Sequence, residues 1–399
     1  MRPPLLAALA ASVLGAAAPA GAAGDPLVLA RPSVRAFTER DGLPQATVHA
    51  IATDREGFLW VGTQDGAARY DGRSWQTVDM PGRAVSNFVR SVLAARDGSV
   101  WFGREDGGLV RLRGGRTETF DAAAGLPASR VNHVLERADG TIWVATHGGG
   151  VARLDGERFA AAGRGLPDPR VWRLAEARVP GGPARLLAAC GGGVFELADG
   201  GLWVPLDLGS SLEGASANSL LDVAEGPDAG LWVGTFGAGL FRLRDGRVTR
   251  FGPDEGLASR LVTALAAVRG ADGGLVVWAG TRDEGVFRLA GGRFERVPLG
   301  APRNEVYSLV AGTGADDSTL WVGTRLAGLV RVQEEPWVVF DGACGLPADQ
   351  VFSVLEAPGP GGGAAIWLGT GSGVAVLEGG SLRTFGPSSG LPSGQVHAL

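Results

Sequence analysis

The sequence is poor in the residues that build metal and redox sites. Its 399 residues include two cysteines and four histidines, and the histidines stand at positions 49, 133, 147 and 397. Neither type shows the paired spacing of a zinc site, so we expect no metal and no cofactor. Cys190 and Cys344 lie three repeats apart in the architecture developed below. That separation predicts two free, partly buried thiols rather than a disulfide bridge.

Charge of one sign is not concentrated anywhere in the chain. The formal net charge is −5, and the acidic and basic residues are spread along the sequence. Nucleic-acid binding and docking on an anionic membrane need a basic stripe or cluster, and none occurs. The composition therefore excludes a nucleic-acid partner and indicates only solubility.

Long apolar runs are missing after the first residues. Arg2 precedes an apolar run from Leu5 to Ala18, and small residues follow around Ala20. This is the order of a secretory signal peptide. The run is too short and too rich in alanine for a membrane span, which needs about twenty residues. We therefore predict a signal peptide at 1–22 and a periplasmic location, with membrane contact only through a downstream segment that this chain lacks.

Glycine and tryptophan are abundant, and both are periodic. The 66 glycines have no three-residue period, which favours many tight turns. Seven of the eleven tryptophans open one recurring phrase of the type Trp-Val-Gly-Thr, at Trp60, Trp101, Trp143, Trp232, Trp278, Trp321 and Trp367. A degenerate copy, Leu186-Leu-Ala-Ala, fills the long gap after Trp143. Successive copies of the phrase stand at nearly constant intervals along the chain. Such regular spacing indicates a repeat architecture, either a solenoid or a propeller.

Within each repeat the apolar residues alternate with a period of two, which predicts strands. The first unit divides into Val48–Ala52, Phe58–Thr63, Ala67–Tyr70 and Trp75–Val78, separated by turns such as Asp71-Gly72. Four short antiparallel strands in each repeat form the blade of an all-β propeller. The repeated tryptophan is then a structural wedge between neighbouring blades, rather than a platform for a sugar.

The number of blades stays open between two alternatives. Val34–Phe37 resembles a fourth strand and can complete the last blade of a ring. If it pairs with the seventh unit, 34–333 form a seven-bladed propeller, and 334–399 hold an eighth blade and a truncated ninth unit that begin a second propeller. If it pairs with the eighth unit, one eight-bladed ring results. We favour the first arrangement, in which the chain is a fragment of a longer protein.

The repeat resembles a known family. Gly42 to Tyr70 reads Gly-Leu-Pro-x-x-x-Val, then Asp-x-x-Gly-x-x-Trp-Val-Gly-Thr, and this is similar to the two-component regulator propeller repeat. The resemblance covers nearly everything from Phe37 onward. It implies the periplasmic sensor region of a hybrid histidine kinase or a related diguanylate cyclase, often responsive to carbohydrate-derived signals. The β-sandwich, membrane helix and output domain of such proteins are missing here.

Two groups of residues are candidates for ligand binding. Loops that enter the first strand and loops that join the second and third strands should share one rim, and residues near the axis should line a channel. A ring of arginines, acids and aromatic residues suits a polar or anionic ligand such as an oligosaccharide. The rim candidates are Gln64, Asp65, Arg104, Glu105, Asp106, His147, Phe236, Arg282, Asp283, Glu284 and Arg325, and the channel candidates are His49, Arg90, Asn132, Trp172 and Tyr307.

Catalytic signatures are missing, so we expect no enzyme activity from this chain. It has no nucleophile elbow and no phosphate-binding glycine loop. A propeller-fold polysaccharide lyase or hydrolase is the first alternative, with His147 the sole rim histidine. A protein-binding scaffold is the second alternative. A homodimer remains possible in any of these classes.

Overall fold

The computed structural model describes residues 33–81, 86–178, 184–208, 215–270, 273–299, 305–313, 317–333, 345–378, 381–391 and 394–399. The regular structure of these residues is β-strand, with short 3₁₀ turns at Glu39–Asp41, Ala122–Ala124, Pro253–Glu255 and Pro387–Ser389. The all-β prediction is confirmed. The signal-peptide segment and Cys344 lie outside the described residues.

The strands have the following bounds in chain order. The first sixteen are β1 (Ser33–Phe37), β2 (Val48–Thr53), β3 (Leu59–Thr63), β4 (Gly66–Tyr70), β5 (Trp75–Val78), β6 (Val89–Ala94), β7 (Val100–Arg104), β8 (Leu109–Arg113), β9 (Arg116–Phe120), β10 (Val131–Glu136), β11 (Ile142–Thr146), β12 (Val151–Asp155), β13 (Arg158–Ala161), β14 (Val171–Arg178), β15 (Ala184–Cys190) and β16 (Gly193–Ala198). The others are β17 (Leu202–Pro205), β18 (Ser216–Val223), β19 (Gly230–Phe236), β20 (Leu240–Arg244), β21 (Arg247–Phe251), β22 (Val262–Arg269), β23 (Leu275–Thr281), β24 (Val286–Ala290), β25 (Arg293–Val297), β26 (Val306–Ala311), β27 (Thr319–Thr324), β28 (Leu329–Gln333), β29 (Val351–Pro358), β30 (Ala364–Thr370), β31 (Gly373–Glu378) and β32 (Ser381–Phe385).

The Asp and Thr of the motif fix the hairpins on either side of the second strand, as the first sheet shows. In the first sheet Oδ1 of Asp54 accepts hydrogen bonds from two turn amides, and Oδ2 accepts one of 2.7 Å from the indole N–H of Trp60. At the other end Oγ1 of Thr63 donates to the carbonyl of Gly66 over 2.9 Å. The motif therefore encodes both turns that bracket the second strand.

Each sheet has four antiparallel strands that follow one another in the chain, with one exception. The seventh sheet has the order β1-β28-β27-β26, so the strand nearest the N-terminus is its outer member. Within the part of unit Ser33–Glu334 that the structure describes, the first strands of seven sheets contact each other in sequence. The last of these contacts joins β26 back to β2.

Six of the seven motif tryptophans lie between adjacent sheets, as the sequence predicted, whereas Trp367 of the eighth sheet packs within its own unit. Trp101 packs against Val131, Val144 and Phe159 of the following sheet. Trp321 of the seventh sheet packs in the same way against Val48 and other residues of the first sheet. The core of this unit is therefore a series of separate gaps between sheets, each with an aromatic wedge.

The glycine of the motif allows neighbouring sheets to approach near the axis. A Cβ at Gly280 would lie 2.5 Å from Cγ1 of Val306, which opens the next sheet. At Gly323 a Cβ would lie 2.7 Å from the carbonyl oxygen of Val48. The glycine is thus required by the packing of sheet on sheet, and not by the turn.

The degenerate fourth copy of the motif is shifted by one residue from its predicted place. The register pairs Val171 with Cys190 and Arg173 with Ala189, just as Val131 pairs with Thr146 in the third sheet. The counterpart of Trp143 is therefore Leu187 and not Leu186. The error arose because two leucines stand side by side in β15 and the tryptophan that marks the position elsewhere is absent. Cys190 occupies the threonine position and is a buried, unbridged thiol.

Strands β29 to β32 form an eighth four-stranded sheet in the second compact unit. Val354 pairs with Leu368 as Val134 pairs with Val144 in the third sheet. Val354 is 67% exposed, whereas Val134 is 3% exposed. The eighth sheet therefore presents an apolar face of the kind that neighbouring sheets cover in the first unit.

Replacement of Trp143 by alanine should destabilise the protein by about 3–5 kcal/mol, because it empties the gap that the indole fills. Trp143 packs with Leu174, Ala188 and Phe195 of the fourth sheet. Urea titration of Trp143→Ala measures this change. The control is Leu326→Ala, because Leu326 is 74% exposed and its loss should change the free energy of unfolding by under about 0.5 kcal/mol. Equal midpoints for the two variants would contradict the wedge role.

Gly280→Ala should cost about 1–3 kcal/mol, because the added methyl overlaps Val306. The fourth and fifth sheets already have alanine at both positions. Ala189 corresponds to Gly280 and Ala217 corresponds to Val306, and the two share a core cluster. The double variant Gly280→Ala/Val306→Ala should therefore lose less stability than the sum of its single variants. A double-mutant cycle from urea titrations measures this coupling, and strict additivity would be the contrary result.

Candidate functional site

A β-bulge in the first strand of each sheet directs side chains to the axis. In β2 the pairing skips from Val48 to Ala50, which leaves His49 as the extra residue. The same skip leaves one extra residue in the other first strands, namely Arg90, Asn132, Trp172, Asn218, Thr263 and Tyr307. A bulge breaks the strict alternation of faces. Two successive residues of one strand can therefore line the same space.

These bulge residues line one cavity of about 450 Å³. All five predicted channel residues are in its wall, together with Phe236 and Arg282 of the predicted rim. The sequence analysis missed seven further polar lining residues, namely Ser91, His133, Arg173, Ser216, Asn218, Thr263 and Ser308. An internal alignment of the repeats would have found Asn218 and Thr263, because they occupy the positions of His49 and Tyr307.

The rim forms as predicted, because the loop after each second strand lies beside the entry to a first strand. The backbone N–H of Gln64 donates to the carbonyl of Thr47 over 3.1 Å, and that of His147 donates to the carbonyl of Arg130 over 3.0 Å. The N–H of Gly237 reaches the next sheet and donates to Arg260 over 2.9 Å. Backbone hydrogen bonds therefore fix the positions of the rim loops.

Two glutamates organise the charges at this rim. Glu105 pairs with Arg90 and with Arg130, the latter over 3.3 Å. Glu305 lies 3.0 Å from Arg325 and 4.0 Å from Arg282. Each glutamate thus neutralises part of the charge of two arginines. Neither Arg130 nor Glu305 was predicted, since both belong to the loops that precede the first strands.

Aromatic rings occupy part of the wall. His49 stacks on Tyr307 at 4.2 Å and on Phe88 at 4.3 Å. Burial, together with the positive charge of Arg90, lowers the pKa of His49 to about 3. Burial and the carboxylate of Glu305, to which the Tyr307 hydroxyl donates over 2.7 Å, raise the pKa of Tyr307 to about 12. Both side chains are therefore neutral at physiological pH.

Arg104 is not a rim residue, and this prediction is wrong. It is 1% exposed and takes the place of the motif's threonine at the end of β7. Its guanidinium donates to the carbonyls of Pro81 and Ser86 over 3.0 and 3.3 Å. These hydrogen bonds hold the backbone of Pro81 and Ser86 beside the loop that follows β7.

Apart from Phe236 and Arg282, the predicted rim residues are not brought to the cavity wall. Gln64 and Asp65 are exposed, and Asp65 accepts a hydrogen bond from Asn87. Asp106 accepts one from the backbone of Ser86 over 3.1 Å. Three further candidates stay on the rim outside the cavity lining, namely Asp283, Glu284 and Arg325.

His147 lies beside Trp172, with an edge-to-face ring contact of 5.2 Å. Its Nδ1 is buried and has no hydrogen-bond partner among the described residues. Burial and the positive charges of Arg130, Arg170 and Arg90 lower its pKa. Among the described residues no group of three His, Cys, Asp or Glu side chains is placed to hold a metal ion. In the same part of the chain no helix combines the length and apolar character needed to cross a bilayer.

Comparison with known families supports the resemblance seen in the repeats. Residues 42–65 and 125–148 match the two component regulator propeller. The predicted repeat is therefore confirmed at the first and third units. A search of curated proteins found no match.

Solved structures with the same fold include two extracellular domains of B. thetaiotaomicron. One, from a hybrid two component system (BT3049), has a TM-score of 0.70 and 19% identity, and the match covers 92% of this chain and 50% of that one. Another, from a hybrid two component system (BT4673), has a TM-score of 0.59 and 17% identity with the same coverages. This chain therefore spans half the length of these two domains.

An enzyme shares the architecture as well. Virginiamycin B lyase of Staphylococcus aureus has a TM-score of 0.58 and 15% identity, and the match covers 76% of this chain and 99% of the lyase. At these identities the likeness shows the fold alone. The predicted β-propeller is confirmed, and function has to be argued from the cavity.

Acidification should destabilise the protein through His49. Its folded-state pKa of about 3 lies below the ordinary value of 6.5, so the unfolded chain binds more protons between these values. The contribution of neutral His49 is fully present above pH 6.5 and is lost as the pH falls towards 3. The matched variant is His49→Phe, because Phe352 occupies the equivalent bulge of the eighth sheet. Urea titrations at pH 7, 6 and 5 should show a smaller loss for the variant, and parallel curves would contradict the assignment.

Proposed function

We propose that this chain is the ligand-sensing propeller of an exported signalling protein and binds a small, polar, carbohydrate-like molecule in the axial cavity. The observation that carries the proposal is the cavity wall, where bulge residues place amides, hydroxyls and aromatic rings around about 450 Å³. Small-molecule sites occupy roughly 300–1,000 Å³. A mono- or disaccharide fits the lower part of that range.

The chemistry of the wall suits a hydroxylated ligand. Oδ1 of Asn132 is buried and has no hydrogen-bond partner among the described residues, although its Nδ2 donates to Val171 over 2.8 Å. An unmet buried acceptor is costly, and a ligand hydroxyl would satisfy it. Phe236 is 39% exposed at the mouth of the cavity, where Arg282 lies over its ring. An exposed aromatic ring can stack on the apolar face of a sugar ring while the polar groups beside it bind the sugar hydroxyls. This combination favours a sugar as the ligand.

Binding is favoured over catalysis by the state of His147. A general base needs an oriented ring whose second nitrogen makes a hydrogen bond. Nδ1 of His147 makes none within the described residues, and the neighbouring arginines disfavour its protonation. We therefore do not assign the lyase or hydrolase alternative to this cavity.

Location and architecture belong to the same proposal. The similar B. thetaiotaomicron structures are extracellular domains, and the apolar start of this chain fits a signal peptide, so we place the protein in the periplasm. We propose that 34–333 act as one seven-bladed propeller. Residues 334–399 would begin a second propeller, for which the exposed apolar face around Val354 is the support. Ligand binding would then act on an output domain through rigid-body movement or dimerisation.

A panel of neutral and acidic mono- and disaccharides tests the proposal by thermal shift and calorimetry on the whole chain. At least one member should bind, and Phe236→Ala/Asn218→Ala should weaken it roughly tenfold or more through the loss of one stacking and one polar contact. Arg113→Ala is the control, since its side chain is 61% exposed at the end of β8 and does not line the cavity. Failure of every sugar to bind, or binding that the double variant leaves unchanged, would refute the proposal.

A further inference from the structure

The cavity carries a charge imbalance that a polar neutral ligand does not explain. Among the described residues that line it, three are arginines, namely Arg90, Arg173 and Arg282, and none is an aspartate or a glutamate. Arg90 pairs with Glu105, and Arg282 lies 4.0 Å from Glu305. The side chain of Arg173 has no hydrogen bond, ion pair or ring contact among the described residues. One positive charge in the wall therefore lacks a counter-charge.

Arg173 is half-buried and lies further along β14 from the rim loop than the bulge residue of that strand. It is the residue after the bulge in β14, and its backbone pairs with Ala189. In three other sheets of the unit this position holds a serine, and its hydroxyl packs where a Cβ on the facing glycine would stand, 2.1 to 2.3 Å away. Ala189 fills that space in the fourth sheet. The side chain of Arg173 is therefore directed to the cavity lining.

Burial lowers the pKa of Arg173, although arginine remains charged in proteins. Isolated buried charges are strongly unfavourable unless a counter-ion accompanies them. The planar guanidinium matches the oxygen pair of a carboxylate or phosphate in a bidentate hydrogen bond. The missing partner is thus an oxyanion.

The side chains next to Arg173 add one donor and one acceptor to the same part of the cavity wall. His133 lines the cavity beside Arg173, and its Nδ1 accepts a hydrogen bond of 3.3 Å from the backbone N–H of Leu174. The proton of the neutral ring then lies on Nε2, which makes that atom a donor. Burial and the charge of Arg173 lower the pKa of His133, so the ring stays neutral. Asn132 supplies the unmet acceptor described above.

We infer that Arg173 and His133 form an oxyanion subsite in the cavity wall, so that the ligand is a hydroxylated acid such as a sugar acid or a sugar phosphate. The inference rests on the proposed function, because it assigns the ligand class of the same cavity. The oxyanion binds the guanidinium of Arg173, and hydroxyl groups of the ligand donate to Asn132.

Calorimetry with three probes tests the subsite on the whole chain, using D-glucuronate, D-glucose 6-phosphate and D-glucose at matched ionic strength. At least one acid should bind roughly tenfold to a hundredfold more tightly than glucose. The acid that binds distinguishes a carboxylate from a phosphate ligand. Arg173→Gln should bring its affinity down to that of glucose, and the exposed-arginine control Arg113→Gln should leave it unchanged.

Thermal unfolding without ligand separates this role from a structural one. Removal of an unpaired buried charge should leave the melting temperature of Arg173→Gln equal to or above that of the original chain, whereas loss of a structural contact would lower it. Arg173→Ser is the second variant, because Ser91, Ser219 and Ser308 occupy the same position in other sheets.

The outcomes separate the two proposals. Equal affinities for glucose and both acids would overturn the oxyanion subsite and leave the sugar-binding function standing. Tight acid binding that survives Arg173→Gln and Arg173→Ser would also overturn the subsite. Absence of binding by all three probes would count against both.

Discussion

The structure depends on the need of each four-stranded sheet to cover two apolar faces. A single sheet cannot do this, and a row of sheets leaves its two ends open. Contacts from β26 to β2 cover both ends in the first unit, where Trp321 packs on the first sheet. Each fully buried large apolar side chain contributes roughly 2–3 kcal/mol by area. Stability is therefore shared among gaps between neighbouring sheets rather than held in one central core.

The same packing requirement sets apart a zone in which side chains are free to vary. The residue before each bulge stays small and apolar, because it packs against the motif glycine or alanine of the preceding sheet, as Val306 does on Gly280. The bulge residue that follows it faces the axis, where no sheet packs. Functional side chains can therefore occupy these bulges without a cost to ring closure.

Much of this architecture could be predicted from sequence because the repeat reports on physical contacts. The tryptophan marks the wedge, the glycine marks the close approach of sheets, and the threonine closes a hairpin, as Thr63 does on Gly66. The five predicted channel residues line the cavity for the same reason, since they hold one position in the repeat. What they bind stays a prediction.

The residues that the sequence analysis missed or misplaced lie where a sheet departs from the regular repeat. A period-two pattern assigns His133 and Arg173 to the opposite face from Asn132 and Trp172, and only the bulge brings both pairs to the cavity. Arg104 was misplaced because its loop position suggested exposure, whereas its guanidinium replaces the hairpin hydroxyl and satisfies backbone carbonyls. Leu187 was missed because it follows another leucine, and without the tryptophan nothing in the sequence tells the two positions apart.

The repeats also act as an internal comparison that separates framework from function. Across the seven sheets of the first unit the residue before the bulge is valine in six and alanine in one, while the bulge itself holds histidine, arginine, asparagine, tryptophan, asparagine, threonine and tyrosine. Packing alone would favour one residue type at a repeated position, because every sheet meets the same neighbour. The diversity at the axis is therefore not set by the packing of sheet on sheet, and it leaves the chemistry of the cavity wall free to differ from one sheet to the next.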